Sequence, residues 1–298
     1  MKKIAVWVLA GCFSAVACAN ETVSPKGLTP AQIIEKNVAA RGGLEAWRKI
    51  QTMVWVGHIE RAHATVPSLP FVLEMKRPNK TRFEIKAQSQ MTERRFDGTQ
   101  GWKQRPSKKG LPELQPYTDQ ELSFARDAQG IDGPLLDYQA KGIGVALDGV
   151  DEIEGHRAYR LSVKLPSGVS HSVWIDAQTF LDIKYDRESR SALGQSNTVS
   201  VFYRNYRTIE GVQIPFIIET GTDTAKAADK MVIDKISLNP PLEDQIFAKP
   251  IVQGRHNAAL IDATSPQALH QDGQPVPSLP AGLPQSSPRS LSRSGDAR

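Results

Sequence analysis

From Met53 to Leu238 the chain is a succession of short alternating runs broken by turn residues. Met53, Trp55, Gly57 and Ile59 alternate with Val54, Val56, His58 and Glu60. Phe71, Leu73 and Met75 alternate next, followed by Phe83 and Ile85 against Arg82, Glu84 and Lys86. Runs over 91–96 and 101–104 flank Asp97-Gly98-Thr99-Gln100, a hairpin turn. Further strands are expected over 158–165, 170–176, 181–185, 198–207, 212–219 and 231–238. Pro166-Ser167-Gly168, Asp176-Ala177-Gln178, Glu210-Gly211 and Gly221-Thr222-Asp223 punctuate them. A period of two sends successive side chains to opposite faces of a sheet. The pattern predicts one antiparallel sheet of about ten or eleven strands over 51–238, open or closed into a barrel. Such a sheet outside the cytoplasm often binds something apolar on one face. A binder or carrier is therefore the first hypothesis and an enzyme the second.

The placement outside the cytoplasm rests on residues 1–19, which read as a secretory signal peptide. Lys2-Lys3 form the positive start, 4–16 is an apolar run, and Ala17-Cys18-Ala19 reads as a cleavage site before Asn20. The apolar run is too short to span a membrane, and no later segment reaches spanning length. Both cysteines, Cys12 and Cys18, lie in this leader, so the mature domain is expected to carry no disulfide and no thiolate chemistry. Leu9-Ala10-Gly11-Cys12 and Val16-Ala17-Cys18 both also resemble a bacterial lipobox, in which the cysteine is acylated. A free periplasmic protein and one anchored through Cys18 or Cys12 both stay open. The formal charge is +5, with Lys2 and Lys3 in the leader. The remainder is too weak and scattered for nucleic acid, though a basic face toward anionic lipid stays open.

After a polar linker over 20–28, Thr29-Pro30 reads as the cap and first residue of a helix over 30–40, which Gly42-Gly43 stops. A second short helical turn covers 44–50. The stretch 111–142 differs from its surroundings. Pro112 and Pro116 break it, and Thr118 with Glu121 forms a capping box. Leu122, Phe124 and Ala125 share a helical face, and Leu135, Leu136 and Tyr138 suggest a second short helix after Gly130, Gly133 and Pro134. A helical insert between two groups of strands results; its position predicts a lid, with Phe124 and Leu135 or Leu136 facing the cavity, and the alternative is that these residues complete a static core. The main domain covers 29–250. Residues 251–298 are rich in Pro, Ser, Gln, Gly and Arg and are expected to be disordered, or else to form a partner-binding tail.

Signals for chemistry are poor. Gly168-Val169-Ser170-His171-Ser172 lacks the last glycine of a nucleophile elbow and sits at a hairpin, so it reads as a plain turn. Gly142-Ile143-Gly144 lacks the third glycine of a dinucleotide loop and reads as a linker into a strand. His58, His63, His156 and His171 lack metal-ligand spacing. His58 and Glu60 share a strand face and could hold a metal between them, or could simply lie at a rim. Asp148, Asp151, Glu152 and Glu154 lack the pattern of a calcium loop and read as a solvated strand edge. No catalytic residue, metal site or cofactor is assigned.

The apolar rows remain. Trp55, Phe71, Leu73, Met75, Phe83 and Ile85 form one set, and Tyr159, Leu161, Val163, Val173, Ile175, Phe202, Ile214, Phe216 and Ile218 extend it. They suit an ordinary sandwich core, and equally a half-open barrel that leaves part of them to a ligand. Four motifs bear on the choice. They are Ile33-Ile34-Glu35-Lys36-Asn37-Val38-Ala39-Ala40-Arg41-Gly42-Gly43 with Trp47 and Ile50, Asp97-Gly98-Thr99-Gln100-Gly101-Trp102, Val173-Trp174-Ile175-Asp176-Ala177-Gln178-Thr179, and Tyr206-Arg207-Thr208-Ile209-Glu210-Gly211-Val212-Gln213-Ile214-Pro215. In this order and spacing, over roughly 29–250, the chain resembles the LolA/LolB-like superfamily, and within it the outer-membrane lipoprotein-sorting proteins. The resemblance implies an incomplete antiparallel β-barrel, or half-barrel, with helices covering its open side and a cavity for acyl chains. It also implies a non-catalytic role in envelope lipid or lipoprotein trafficking, as a monomer. An inner-membrane transporter or an outer-membrane acceptor would be its partner. The alternative is a binding module that regulates or accompanies an envelope complex. The residues expected to line the cavity are Trp55, Phe71, Leu73, Met75, Phe83, Phe124, Leu135, Leu136, Tyr159, Phe202 and Phe216. Methionine and aromatic side chains suit acyl chains because they adapt in shape and present large apolar faces.

Overall fold

The computed structural model describes residues 27–61, 68–87, 90–107, 112–128, 130–190, 196–222 and 229–251. The chain begins with helix α1 (Pro30–Ala40) and the single turn α2 (Leu44–Arg48). Six strands follow: β1 (Thr52–Arg61), β2 (Ser68–Lys76), β3 (Lys80–Ala87), β4 (Gln90–Phe96), β5 (Gly101–Arg105) and β6 (Glu113–Pro116). Helix α3 (Asp119–Asp127) separates them from β7 (Gly144–Ile153), β8 (His156–Lys164), β9 (Ser170–Asp176), β10 (Asp182–Arg190), β11 (Ser196–Ile209), β12 (Val212–Thr222) and β13 (Asp229–Leu238). A 3-10 turn, Asp244–Phe247, comes last.

These thirteen strands form one sheet in the order β6-β5-β4-β3-β2-β1-β13-β12-β11-β10-β9-β8-β7. Every neighbour is antiparallel, and β1 and β13 zip the two halves together. β6 and β7 are left as free edges, so the sheet is an open half-barrel. The sequence pattern predicts about ten or eleven strands. One addition is β6, whose flanking prolines read as part of the helical insert. Proline is tolerated on an edge strand, where its missing N–H faces no partner. At the other edge β7, the strand expected after Gly144, alternates between exposed and half-buried positions along its whole length.

The turns follow local chemistry. At the β4–β5 hairpin Asp97 Oδ1 accepts from the N–H groups of Thr99 (2.8 Å) and Gln100 (2.7 Å). Gly101, which opens β5, has no room for a side chain: a Cβ there would lie 2.1 Å from the Tyr117 ring. Thr29 caps α1 through a capping box with Gln32, and Thr118 caps α3 through one with Glu121. Residues 130–142, in contrast, form consecutive turns and no second helix. Gly133 and Asp137 take positive φ of 70° and 55° there, which breaks any helical run.

The inward side chains make one continuous core. Ile33 and Ile34 of α1, Trp47 of α2, and Leu135 and Leu136 pack with Phe71, Leu73, Phe83, Leu161, Val163, Ile175, Ile214 and Ile218 of the sheet. A smaller cluster of Phe96, Tyr117 and Ala125 seats α3. The leader over 1–19 and the tail from 252 lie outside the described residues.

Candidate functional site

Three of the motifs quoted above meet in space. The Gly42-Gly43 turn after α1 lies against the β11–β12 hairpin, where a Cβ on Gly42 would stand 2.3 Å from the Gly211 carbonyl oxygen. Arg41 carbonyl accepts from Gln213 N–H (3.0 Å) and from Trp47 Nε1–H (2.8 Å). The β9–β10 turn is closed by Asp176 Oδ1, which accepts from Thr179 N–H (2.6 Å) and Thr179 Oγ1–H (2.9 Å). Phe180 carbonyl at its end accepts from the Asn37 Nδ2–H group (2.8 Å) of α1. These weak turn motifs thus dock α1 and α2 onto the ends of two hairpins.

The segment between the two free edges crosses the opening. At its first end Glu121 of α3 binds Lys103 Nζ (2.8 Å) and Arg94 Nη2 (2.9 Å) on the inner face of β4 and β5. At its far end Asp127 accepts from Ser167 Oγ (2.7 Å) of the β8–β9 hairpin. Burial alone would raise the Glu121 pKa; Arg94, Lys103 and the Thr118 N–H outweigh it and hold the carboxyl down at about 2. Asp132 fastens the turns that follow. Its carboxylate takes Arg77 Nη1 (2.9 Å) and Lys141 Nζ (2.9 Å), and its carbonyl accepts from Arg41 Nη1 (3.0 Å). Burial lowers the Lys141 pKa against the pull of Asp132, which marks this cluster as shielded from water.

Beneath these turns lies a cavity of about 90 Å³. Its roof is Gly130, Ile131, Gly133 and Pro134, and its apolar walls include Trp47, Trp55, Val173, Ile214 and Ile218. A polar side is formed by Arg41, Asp182, Tyr185, Tyr203 and Tyr206. Arg41 lies over the Trp47 ring at 4.5 Å, and Tyr206 Oη–H donates to the Asp182 carbonyl (2.9 Å). Burial pushes the pKa values of Tyr185, Tyr203 and Tyr206 up, so all three hydroxyls stay protonated. Tyr203 and Tyr206 both border this side although they are three positions apart on β11. Asn205, at φ 54°, leaves the extended conformation between the Arg204–Ile217 and Tyr206–Pro215 pairs and interrupts the strict alternation without changing the register.

Of the residues expected to line a cavity, Trp55 alone is in its wall. Phe71, Leu73, Met75, Phe83 and Phe216 are buried in the surrounding core, with the Phe71 and Phe83 rings 5.8 Å apart. Leu135 and Leu136 are buried there too, directly after the roof residues. Phe124 is half-buried over the Arg187 guanidinium at 4.9 Å. Tyr159 stacks on Phe180 at the core's margin (6.1 Å). Phe202 is elsewhere: it alternates with buried Val201 and stands beside Lys184 and Arg204 on the convex face. The tyrosines and Arg41 were missed because polar tips do not score as cavity wall. Val173, Ile214 and Ile218 were visible in the apolar rows.

Among the described residues no three His, Cys, Asp or Glu side chains gather as a metal site would require. His58 instead contacts Asp234 (3.2 Å) and Glu60 (3.6 Å) at the surface. No described helix is long and apolar enough to cross a membrane.

No family model and no curated protein matches the sequence. Among solved structures the fold is similar to a DUF1329 family protein from Desulfovibrio piger, at 12% identity and a TM-score of 0.50, over 74% of this chain and 98% of that one. A LolA superfamily protein from Nitrosomonas europaea is similar at 16% identity and a TM-score of 0.47, over 75% and 99%. A Vibrio parahaemolyticus domain described as an outer-membrane lipoprotein-sorting protein follows at 12% and 0.39, over 73% and 95%. LolA superfamily proteins thus stand among the structural neighbours, and at these identities the likeness is one of fold.

Proposed function

We propose that this protein holds the acyl chain of a lipid or lipoprotein inside its half-barrel, in the periplasm and without covalent chemistry. The reading places the ligand under the 130–142 turns and takes the leader over 1–19 as its route of export. The observation that supports it best is the layout of the opening. An incomplete sheet encloses an apolar hollow, and the segment joining its two free edges roofs that hollow. The roof is fastened by polar contacts through Glu121, Asp127 and Asp132, which can be exchanged for water, and by Leu135 and Leu136, which are buried in the core.

At about 90 Å³ the hollow is smaller than the cavity of about 150 Å³ that takes one benzene. An acyl chain therefore requires the roof to lift and Leu135 and Leu136 to move aside. Each methylene buried returns about 0.8 kcal/mol, so a chain of ten offsets the loss of several polar contacts. The test uses delipidated protein and a fluorescent fatty-acid probe. Wild type should bind the probe, and Asp132→Asn, which weakens the fastening, should take it up several-fold faster and exchange amide hydrogens faster over 130–142. Absence of uptake by both proteins at saturating probe would sink the reading.

A further inference from the structure

Arg187 is buried on the concave face and has no counter-ion among the described residues. On β10 it faces the same way as Tyr185, and the two pair with Val199 and Val201, both buried. Tyr185 is part of the cavity wall. Arg187 follows two residues on, roughly 7 Å along the strand, under the Phe124 ring of α3. It is only 3% exposed, its Nη2 is buried without a hydrogen-bond partner, and it is in no ion pair among the described residues. A guanidinium stays charged in proteins, and an unpaired buried charge is costly. An aromatic face compensates only part of that cost. His171 adds a second unsatisfied group at the same place. Its ring lies 5.1 Å from the Tyr185 ring, and its Nδ1 is buried with no partner. Burial, then the Arg187 charge, holds its pKa near about 4, so the imidazole is neutral and still offers one N–H.

We propose that Arg187 and His171 form the polar anchor of the ligand, which is an acyl amphiphile carrying a carboxylate or phosphate group. The inference rests on the acyl-holding reading above and deepens it. The chain fills the enlarged hollow beside Tyr185, and the anion takes the place of the Phe124 ring over the guanidinium when α3 lifts. A planar guanidinium pairs with either oxyanion through two parallel N–H donors, so both sources share one chemistry. The missing counter-ion is then supplied by the ligand.

The experiment uses delipidated full-length protein and three probes: a fluorescent long-chain fatty acid, its methyl ester, and a fluorescent lysophosphatidic acid. Wild type is expected to prefer the acid to the ester by roughly tenfold or more, the worth of one charge-assisted contact. Arg187→Met should erase that preference by weakening acid binding far more than ester binding, and melt no lower than wild type, because it replaces an unpaired charge by an apolar chain of similar length. Arg187→Lys should keep part of the preference. Tighter binding of lysophosphatidic acid than of fatty acid, lost in Arg187→Met, assigns a phosphate; the reverse order assigns a carboxylate. Equal binding of acid and ester by wild type overturns the anchor alone. So does a preference that survives in Arg187→Met, and so does a large fall in its melting temperature, which would make the guanidinium structural. Failure of wild type to bind the ester as well as both anions removes the acyl-holding reading, and the anchor with it.

Discussion

In the half built from β1–β6 the sheet is covered on its inner face and, over β2–β4, on its outer face as well. Inside, Phe71, Leu73, Met75, Phe83 and Ile85 are all buried in one core, with the Phe71 and Phe83 rings 5.8 Å apart. Outside, the chain after β13 straps across β2–β4. Asp244 binds Lys76 and Lys80 (both 2.8 Å), Ala248 carbonyl accepts from Arg95 Nη1 (3.1 Å), and Phe247 is fully buried. Beside this strap, Arg82 gathers Glu74, Glu84 and Glu93, the last 1% exposed. The half built from β7–β13 is different. Its convex face is open and carries a cross-strand row of Arg160, Trp174, Lys184, Phe202, Glu219 and Lys230, in which Lys184 Nζ lies 4.2 Å from the Trp174 ring centre. Its concave face holds most of the cavity wall, the buried Tyr185, the half-buried Tyr203 and Tyr206, and the uncompensated Arg187. The hollow lies mostly against the second half, and the unsatisfied Arg187 and His171 sit beside it, where a ligand would complete them. Stability and recognition are thereby assigned to different strands of one sheet.

The largest expected effect separates the two inner faces. Leu73→Ala removes a side chain packed on all sides and should cost toward 5 kcal/mol in urea unfolding; Ile214→Ala, which already borders empty space, should cost nearer about 2 kcal/mol. Equal losses would erase the contrast.

A smaller effect comes from acid. The Glu121 pKa is held at about 2 in the fold, below its ordinary value of 4.5. Its contribution is therefore complete above pH 4.5 and disappears as pH falls toward 2, because the unfolded chain takes up the proton first. Screening of a partly exposed group limits the loss to about 1–2 kcal/mol. Hydrogen exchange should show α3 and 130–142 opening over this range before the β1–β6 core. Simultaneous loss of both regions would mean that α3 is no independent cover. The Glu121→Gln variant should open to the same degree at neutral pH and lose the pH dependence.

The smallest effect concerns the convex face. Phe202→Ser should change stability by about 1 kcal/mol or less and leave uptake of the fatty-acid probe unaltered, since its neighbours are Lys184 and Arg204 and not the hollow. Reduced uptake in a stable variant would return Phe202 to the ligand's path and breach the division between the two faces.

The sequence by itself determined the strands, most turns and the helix starts, because each depends on neighbours a few residues away. The period of two names the inward residues of β2 and β3, Asp97-Gly98 closes its hairpin through the Asp97 carboxylate, and Thr29 and Thr118 cap their helices. It also identified the segment that lies between the two edges, since an insert between two groups of strands must join them. The tertiary structure alone decided where the hollow lies. The left-handed backbone at Asn205 lets Tyr203 and Tyr206 border one hollow, the strap makes the convex side of β2–β4 an interior, and the closure of β1 on β13 sets which apolar rows meet and which stay apart. A row of alternating apolar residues states that a face is buried and is silent on what fills the space above it. That depends on the volumes of side chains brought from strands more than a hundred residues distant, as where Trp55 of β1 meets Ile218 of β12 across the hollow.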